Sequence, residues 1–254
     1  MLRSLPFLFS VLVSIPVHAI VDVQDQFFSN PESNTFSVLE LDLAGASGNK
    51  DEKSFTLATH NILRRGPSTW LFVAEVANSE VNKVENENNS FAHLRYTRDI
   101  VGPHGVEVLA QYSEDKFANL ASRDVYGGGY HYQWIRGSST QRGLMGLGII
   151  REVEQYVGQP GERKRWRANL YMTMARPFDE AGNASIGLTT YLQPAIAGGS
   201  DVRGIATLTF KSALTDRLQI NIGINYNYES NPSPGLSNYS LSYSSGFSYT
   251  FSNQ

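Results

Sequence analysis

The sequence predicts an all-β protein, a transmembrane antiparallel up-and-down β-barrel of about twelve strands. Near the end of the chain lies a long hairpin whose strands each have one apolar and one polar face. Further strand candidates precede it without a helical segment between them. The chain also begins with an apolar segment that is typical of export. These three observations together favour an exported barrel.

The hairpin comprises residues 218–228 and 239–251. In its first strand, apolar and aromatic residues alternate with Gln, Asn and Gly. In its second strand, Tyr, Leu and Phe alternate with Ser, Gly and Thr. Because strand side chains point to opposite faces with a period of two, each strand has one apolar face. Strands of this length can cross a bilayer, which takes about 9–11 tilted residues, whereas strands in soluble domains are usually nearer 5–6 residues.

The end of the chain carries a second pattern. Ser244, Gly246, Tyr249 and Phe251 form a polar-x-Gly-x-x-aromatic-x-aromatic arrangement, which resembles the C-terminal assembly signal of bacterial outer-membrane barrels. Residues 252–254 follow it, whereas the signal usually finishes the chain. The barrel assembly machinery is therefore an expected partner.

Residues 1–19 are predicted to form a signal peptide that is cleaved after Ala19. Arg3 supplies the positive charge, residues 5–17 form an apolar run, and small residues precede the cleavage site. The apolar run is too short for a transmembrane helix, although a retained anchor helix is the alternative. Residues 20–33 would then be a short periplasmic lead-in, and residues 34–254 the outer-membrane barrel.

The composition excludes several classes of function. The chain has no cysteine, which excludes disulfides, thiolate metal sites and cysteine nucleophiles. Its net charge of -3 is too mild and too evenly spread for nucleic-acid binding. The mean hydropathy of -0.28 is compatible with a barrel, because only every second residue of a strand faces lipid.

Twelve strand candidates follow one another along the chain. Their even number suits a barrel with both termini on the periplasmic side. Two candidates alternate less clearly. Both faces of 142–155 are apolar as far as Arg151, and both faces of 69–78 are apolar as far as Glu75. Three consecutive glycines at 127–129 predict a bend or a close approach of backbones. The candidates are 34–46, 53–64, 69–78, 90–101, 106–115, 122–135, 142–155, 164–175, 184–193, 202–212, 217–229 and 239–251.

The connections are predicted to alternate in length. Short turns on one side and long loops on the other are the usual asymmetry of outer-membrane barrels. Two connections fit this less well, since 48–51 is short for an outer loop and 177–183 is long for an inner turn. Tight turns are predicted at 65–68, 102–105, 137–139 and 213–216, and longer polar links at 79–89, 157–164, 194–201 and 230–238.

Separated pieces of the chain form a wider pattern that extends from about residue 34 to residue 251. The pieces are Ser47-Gly48-Asn49; Gln111-Tyr112 with Asp115, Phe117, Leu120 and Arg123; the Gly-Gly-Gly-Tyr-His-Tyr run at 127–132; Tyr191-Leu192-Gln193-Pro194 with Asp201 and Arg203; and Tyr228-Glu229-Ser230-Asn231-Pro232. In order and spacing they resemble the salt-induced outer-membrane proteins, catalogued as domain of unknown function 481, which usually have aspartate in place of Glu229. The resemblance implies a Gram-negative outer-membrane barrel linked to salt or osmotic stress, without an established molecular activity.

No enzymatic site is predicted. One alternative is a lipid-directed hydrolase, because twelve-stranded outer-membrane phospholipases use a Ser-His-Asn arrangement at the lipid-facing surface. Here His60, His93 and His131 fall on the parity assigned to the interior, and His104 falls in a turn. No spacing suggests a metal site, and no cofactor is expected. A soluble periplasmic β-protein is the remaining alternative.

Charged residues collect on the parity that is assigned to the interior of the barrel. These residues either line a channel that filters solutes or pair with one another and hold the lumen shut. The predicted function is therefore a structural protein or a narrow solute pore of the outer membrane, in contact with lipid and lipopolysaccharide. The predicted lumen charge cluster comprises Glu40, Asp42, Arg95, Arg151 and Arg167.

Overall fold

The structure is a computed structural model that describes residues 34–48, 51–136, 142–178, 183–197, 200–215, 218–233 and 235–249. The predicted signal peptide, its cleavage site at Ala19 and the lead-in lie outside the described residues. Within the described part of the chain, no helix is long and apolar enough to cross a membrane. The elements found are the strands β1 (Thr35–Ala46), β2 (Glu52–Arg65), β3 (Ser68–Val81), β4 (Val84–Val101), β5 (His104–Asp115), β6 (Leu120–Arg136), β7 (Arg142–Tyr156), β8 (Arg163–Pro177), β9 (Ala184–Pro194), β10 (Val202–Ala213), β11 (Leu218–Glu229) and β12 (Tyr239–Tyr249).

The twelve strands form one antiparallel sheet in which every strand pairs with its neighbours in sequence, from β1 to β12. The predicted all-β, up-and-down arrangement of twelve strands is therefore confirmed. Strand lengths run from 11 residues in β9 to 18 residues in β4. Most strand ends lie within a few residues of the predicted ends, because the alternation of side chains ends where Gly, Pro and Ser begin.

One predicted connection is wrong. Residues 79–89 are not a long loop, because β3 continues to Val81 and β4 begins at Val84. The turn consists of Asn82 and Lys83, with φ angles of 49° and 65°, as in the two-residue turns that match the twist of a hairpin. The polar side chains suggested a loop, but a ladder depends on backbone hydrogen bonds, and polar side chains can pair across it. Asn78, for example, donates a hydrogen bond of 3.2 Å to Glu85.

The sheet curls, so that one of its faces is concave. Side chains from strands that are not neighbours meet on this face. The hydroxyl of Tyr171 in β8 donates a hydrogen bond of 2.7 Å to Glu107 in β5, and Arg203 in β10 lies 2.6 Å from Glu154 in β7. Near the β1 edge of the sheet, on the same concave face, Phe36 packs on a buried apolar cluster from β2, β3 and β4. The described residues contain no ladder between β1 and β12.

The distribution of polar and apolar side chains between the two faces is the reverse of that in a soluble protein. Arginine, glutamate and threonine side chains are buried on the concave face. Large apolar side chains are exposed on the convex face of most strands, and such a continuous exposed apolar surface is typical of contact with lipid or a partner. Examples on the convex face are Leu39, Leu41 and Leu43 of β1, Trp70 and Phe72 of β3, Leu147 and Ile149 of β7, Trp166 of β8, Leu192 of β9, and Tyr243 and Phe247 of β12.

Strands β6 and β7 approach each other closely, as the three consecutive glycines predict. A Cβ atom on Gly129 would lie 2.5 Å from the carbonyl oxygen of Leu147 and 2.8 Å from the Cα atom of Gly148. A Cβ atom on Gly148 would lie 2.6 Å from the carbonyl oxygen of Gly128. No larger residue fits at these positions without a shift of the backbone, so the glycines set the spacing at which the concave face is packed.

Candidate functional site: buried charges of the concave face

The main group of charged side chains lies at one end of the concave face, which we call the loop end. This end carries the turn of Asn82 and Lys83 and the links that follow β5, β7, β9 and β11. Because neighbouring antiparallel strands start and finish at this end, residues far apart in sequence come together. Ion pairs connect nine side chains, which we call the loop-end cluster: Arg123, Glu152, Glu154, Arg163, Arg165, Arg167, Asp201, Arg203 and Glu229.

Arg203 joins the cluster across strands. Its side chain is 1% exposed and pairs with Glu152 and Glu154 of β7, the latter at 2.6 Å. Its Nε atom donates a hydrogen bond of 2.8 Å to Glu229 of β11. One guanidinium therefore links three strands of the curled sheet.

Arg167 holds the adjoining part of the cluster. It is fully buried and its Nε atom lies 3.1 Å from Glu152, while Nη2 lies 3.0 Å from Asp201. The third nitrogen, Nη1, donates a hydrogen bond of 3.2 Å to the backbone carbonyl of Gln193. Every nitrogen of this guanidinium therefore has a partner, as a buried charge requires.

Arg123 is less completely paired. Its Nε atom donates a hydrogen bond of 2.7 Å to Glu154, and Nη2 contacts the same carboxylate. Its Nη1 atom is buried and has no hydrogen-bond partner among the described residues. The whole cluster contains five guanidinium groups and four carboxylates, so one positive charge has no counter-charge within it.

A second, smaller group lies farther along the concave face. Arg95 of β4 and Glu107 of β5 are each 2% exposed and lie 4.0 Å apart. The Arg95 guanidinium also lies 5.6 Å from the ring centre of Tyr171, whose hydroxyl bonds to Glu107. Aromatic and charged side chains from three strands thus occupy the middle of the concave face.

The structure separates the residues of the predicted lumen charge cluster. Arg167 and Arg95 are buried on the concave face, but they belong to two different groups. Glu40 and Asp42 share the concave parity of β1 with Phe36, yet both are exposed and neither makes an ion pair among the described residues.

The assignment of Arg151 to the interior is wrong. Its guanidinium lies 5.3 Å from the ring centre of Trp166, which is 51% exposed on the convex face. Both faces of β7 are apolar before this residue, so the sequence did not fix which face was inward. The buried Ile150 and Glu152 on either side show that the opposite parity faces inward.

Sequence reasoning missed most of the loop-end cluster. Glu152 and Glu154 of β7 were not recognised, because the parity of this strand was read from Arg151. Their spacing of two was an available signal, since it places both carboxylates on one face. Arg123, Asp201 and Arg203 appeared only as parts of the family pattern. Their proximity depends on the curl of the sheet.

The remaining predicted residues have simple placements. Ser244 and Gly246 lie in β12, and Tyr249 is its last residue. Phe251 lies outside the described residues. Among the residues that the structure describes, no three His, Asp or Glu side chains are grouped to hold a metal ion.

The comparisons with known proteins identify the family. A family model described as protein of unknown function, DUF481, matches residues 39–251. The chain belongs to this family. The resemblance to domain of unknown function 481 is therefore confirmed. No curated protein matches the chain. One solved structure, described as "Unveiling the Mechanism Behind the in-meso Crystallization of Membrane Proteins", aligns over 85% of this chain and 82% of its own, with a TM-score of 0.37 and 10% identity.

Proposed function

We propose that this DUF481 protein is a β-barrel of the outer membrane of Gram-negative bacteria. The convex face supports this location, because its exposed side chains are apolar on strand after strand. The strands, of 11–18 residues, reach or exceed the roughly 9–11 residues that a tilted transmembrane strand needs. Exposed aromatic residues lie near both ends of the sheet, as in interfacial girdles: Trp70 and Trp134 at one end, and Tyr112, Trp166, Tyr228 and Tyr239 toward the loop end.

In the membrane, we propose that β1 and β12 pair and close the barrel. Hydrocarbon contains no water to bond the amide groups of an open edge, and each unsatisfied group costs several kcal/mol. The pattern at Ser244, Gly246, Tyr249 and Phe251 supports delivery to the barrel assembly machinery. Lipid and lipopolysaccharide are then the molecules that contact the convex face.

The interior supports a structural role for the barrel rather than the free passage of solutes. The observation that carries this proposal is the burial of the loop-end cluster, in which Arg167 and Arg203 are no more than 1% exposed. Charges that line open water keep their solvent, whereas these have exchanged water for one another. Salt screens buried pairs much less than exposed ones, so such a closure would persist at high ionic strength. This agrees with the salt-stress link that the resemblance implies.

Conductance tests the closed interior. The full chain, refolded and inserted in planar bilayers, is expected to show little current. A shift in gel mobility on boiling, measured on the same preparation, verifies that a folded barrel was present. Large and steady channels from the wild-type protein would contradict the closed interior and favour a narrow solute pore.

Cysteine labelling on intact cells tests the proposed location and the orientation in which the loop end faces the outside of the cell. The sequence has no cysteine, so the background is clean. Lys83→Cys and Ser237→Cys place a thiol at the loop end, and His104→Cys places one at the opposite end. We expect an impermeant maleimide to react with the first two variants only. Labelling of all three, or recovery of the protein in the soluble periplasmic fraction, would contradict the proposal.

A further inference from the structure

A cavity of about 320 Å³ lies at the loop end, between β6, β10, β11, β12 and the link that joins the last two strands. Its inner wall includes the buried side chains of Leu120, Arg123 and Arg203. Its outer wall includes Leu236 and Tyr239, which are exposed. The cavity therefore connects the loop-end cluster with the surface.

The lining of the cavity carries two guanidinium groups and one carboxylate, from Arg123, Arg203 and Glu229. Arg123 lines it and is 2% exposed, and its buried Nη1 atom has no hydrogen-bond partner among the described residues. Arg203 also lines it and pairs with Glu229, whose carboxylate is part of the lining as well. A buried donor without a partner costs about 1–3 kcal/mol, and more when it is charged. An anionic group that contacts Nη1 would remove this cost and offset the one positive charge that is in excess in the loop-end cluster.

The other walls combine apolar and uncharged polar groups. The side chains of Leu120, Ile205 and Leu236 are apolar, while Asn227 and Ser240 can form hydrogen bonds. Ligand sites typically combine mostly apolar walls with a few polar groups that fix orientation. The volume is about twice that of a roughly 150 Å³ cavity that accepts benzene, so a molecule with a ring and an acidic group fits.

We propose that this cavity binds a small organic anion, a carboxylate or phosphate monoester with an apolar body, whose acidic group contacts Arg123. The molecule enters from the loop end, between the link 230–238 and the start of β6. Binding here goes beyond the structural role of the barrel and does not require a conducting lumen. A barrel without conductance can therefore still bind the anion, and the two proposals fail separately.

The test uses 4-(trifluoromethyl)benzoate as the probe and fluorine NMR as the measurement. The full chain is refolded in detergent micelles and titrated with the acid or with the matching uncharged benzamide, which reports partition into the micelle. We expect saturable binding of the acid and affinity for the amide that is about tenfold weaker, the loss that corresponds to one hydrogen bond between charged groups. Equal affinities would overturn the proposal. Displacement by equimolar inorganic phosphate would also overturn it, because the apolar body would then contribute nothing.

Two variants locate the binding. Ser240→Trp fills the cavity without removing a member of the loop-end cluster, and Ser242→Trp is its control on the same face of β12, outside the cavity lining. We expect Ser240→Trp to weaken binding of the benzoate by about tenfold or more, and Ser242→Trp to leave it unchanged. Arg123→Gln should weaken binding of the acid but not of the amide. If Arg123→Gln does not fold, the tryptophan pair still decides, and unchanged binding in Ser240→Trp overturns the proposal.

Discussion

The concave face is packed in two different ways, at strands β6 to β10 and at the β11–β12 hairpin. In the first region, charged side chains such as Arg167 and Glu154 are fully buried and paired. In the second region, apart from Glu229 at the loop end of β11, the same face carries uncharged polar residues and glycines, most of them half-buried. Yet the hairpin has the clearest alternation in the sequence, and β7 the least clear. In this chain, regular alternation of apolar and polar residues therefore occurs where the concave face carries small polar side chains. Irregular alternation occurs where that face is filled by large buried side chains.

The difference has a physical cause. At the hairpin, polar side chains contact residues that are close to them in the sequence or on the facing strand. Gln219, for example, donates a hydrogen bond of 2.6 Å to Asn221. Among the described residues of the hairpin strands, these contacts lie within one strand or join the two facing strands, as between Asn227 and Ser240. Between β6 and β10, the Tyr171 ring occupies the place that a side chain on Gly146 of β7 would take. Arg203 of β10 reaches Glu152 and Glu154 of β7. The packed region thus depends on tertiary contacts, while the hairpin depends on its own two faces.

The largest expected effect is at the packed region. Arg167→Ala removes a guanidinium that pairs with Glu152 and Asp201 and leaves both carboxylates buried. We expect it to lower the free energy of unfolding by about 3–5 kcal/mol, the usual cost of breaking a buried pair. Urea unfolding of the refolded protein in lipid vesicles measures this. The matched control is Arg151→Ala on the convex face, which loses a contact with Trp166 worth about 0.5–1 kcal/mol at an exposed site. Equal losses in both variants would remove the distinction between the two faces.

The hairpin should respond on its convex face instead. Leu241 is 59% exposed there, whereas Ser242 faces the concave side. We expect Leu241→Arg to lower the stability of the inserted barrel by about 2 kcal/mol, the lower end of the range for the bilayer midplane, because Leu241 lies two residues from Tyr239 of the aromatic girdle. Ser242→Arg should cost much less, because the concave face of the hairpin is polar. The folded fraction in vesicles, measured by gel mobility without boiling, checks this. A greater loss for Ser242→Arg would show that the hairpin face assigned to lipid is the inner one.

The spacing of β6 and β7 gives an intermediate effect. In Gly129→Ala the added Cβ atom would lie 2.5 Å from the carbonyl oxygen of Leu147, so the ladder must shift. We expect a loss of about 1–3 kcal/mol in the free energy of unfolding, as for other overpacked sites. Gly246→Ala in β12 is the control, since nothing lies within 4 Å of its added Cβ atom. A neutral Gly129→Ala would show that the close approach does not constrain the packed region.

The smallest effect should come from an ion pair at the rim. Lys116 is 61% exposed and forms an ion pair with Glu85 at the loop end. Because exposed pairs contribute little and are screened by salt, Lys116→Ala should leave the urea midpoint unchanged within error. The comparison with Arg167→Ala then isolates burial as the cause of the larger loss. A Lys116→Ala variant as unstable as Arg167→Ala would contradict this interpretation.

Local patterns were enough to predict the strands. Alternation placed most of the strand ends, and the consecutive glycines predicted the close approach of β6 and β7. The loop predicted over residues 79–89 was wrong, because polarity was taken as a sign of loop where backbone pairing continues through Asn82 and Lys83. The polarity of side chains indicates whether they face solvent, but the hydrogen bonds of a β-ladder are formed by the backbone.

The sequence by itself determined the class of fold, the number and order of the strands and the apolar face of most of them. These properties depend on a period of two and on turn residues, which are local. Only the tertiary structure decided which charges meet. Arg203 reaches Glu152 because the sheet curls, and Arg151 lies outside because β7 packs with Ile150 and Glu152 inward. Where both faces of a strand are apolar, its parity carries no signal, and the packing of neighbouring strands determines which side chains are buried.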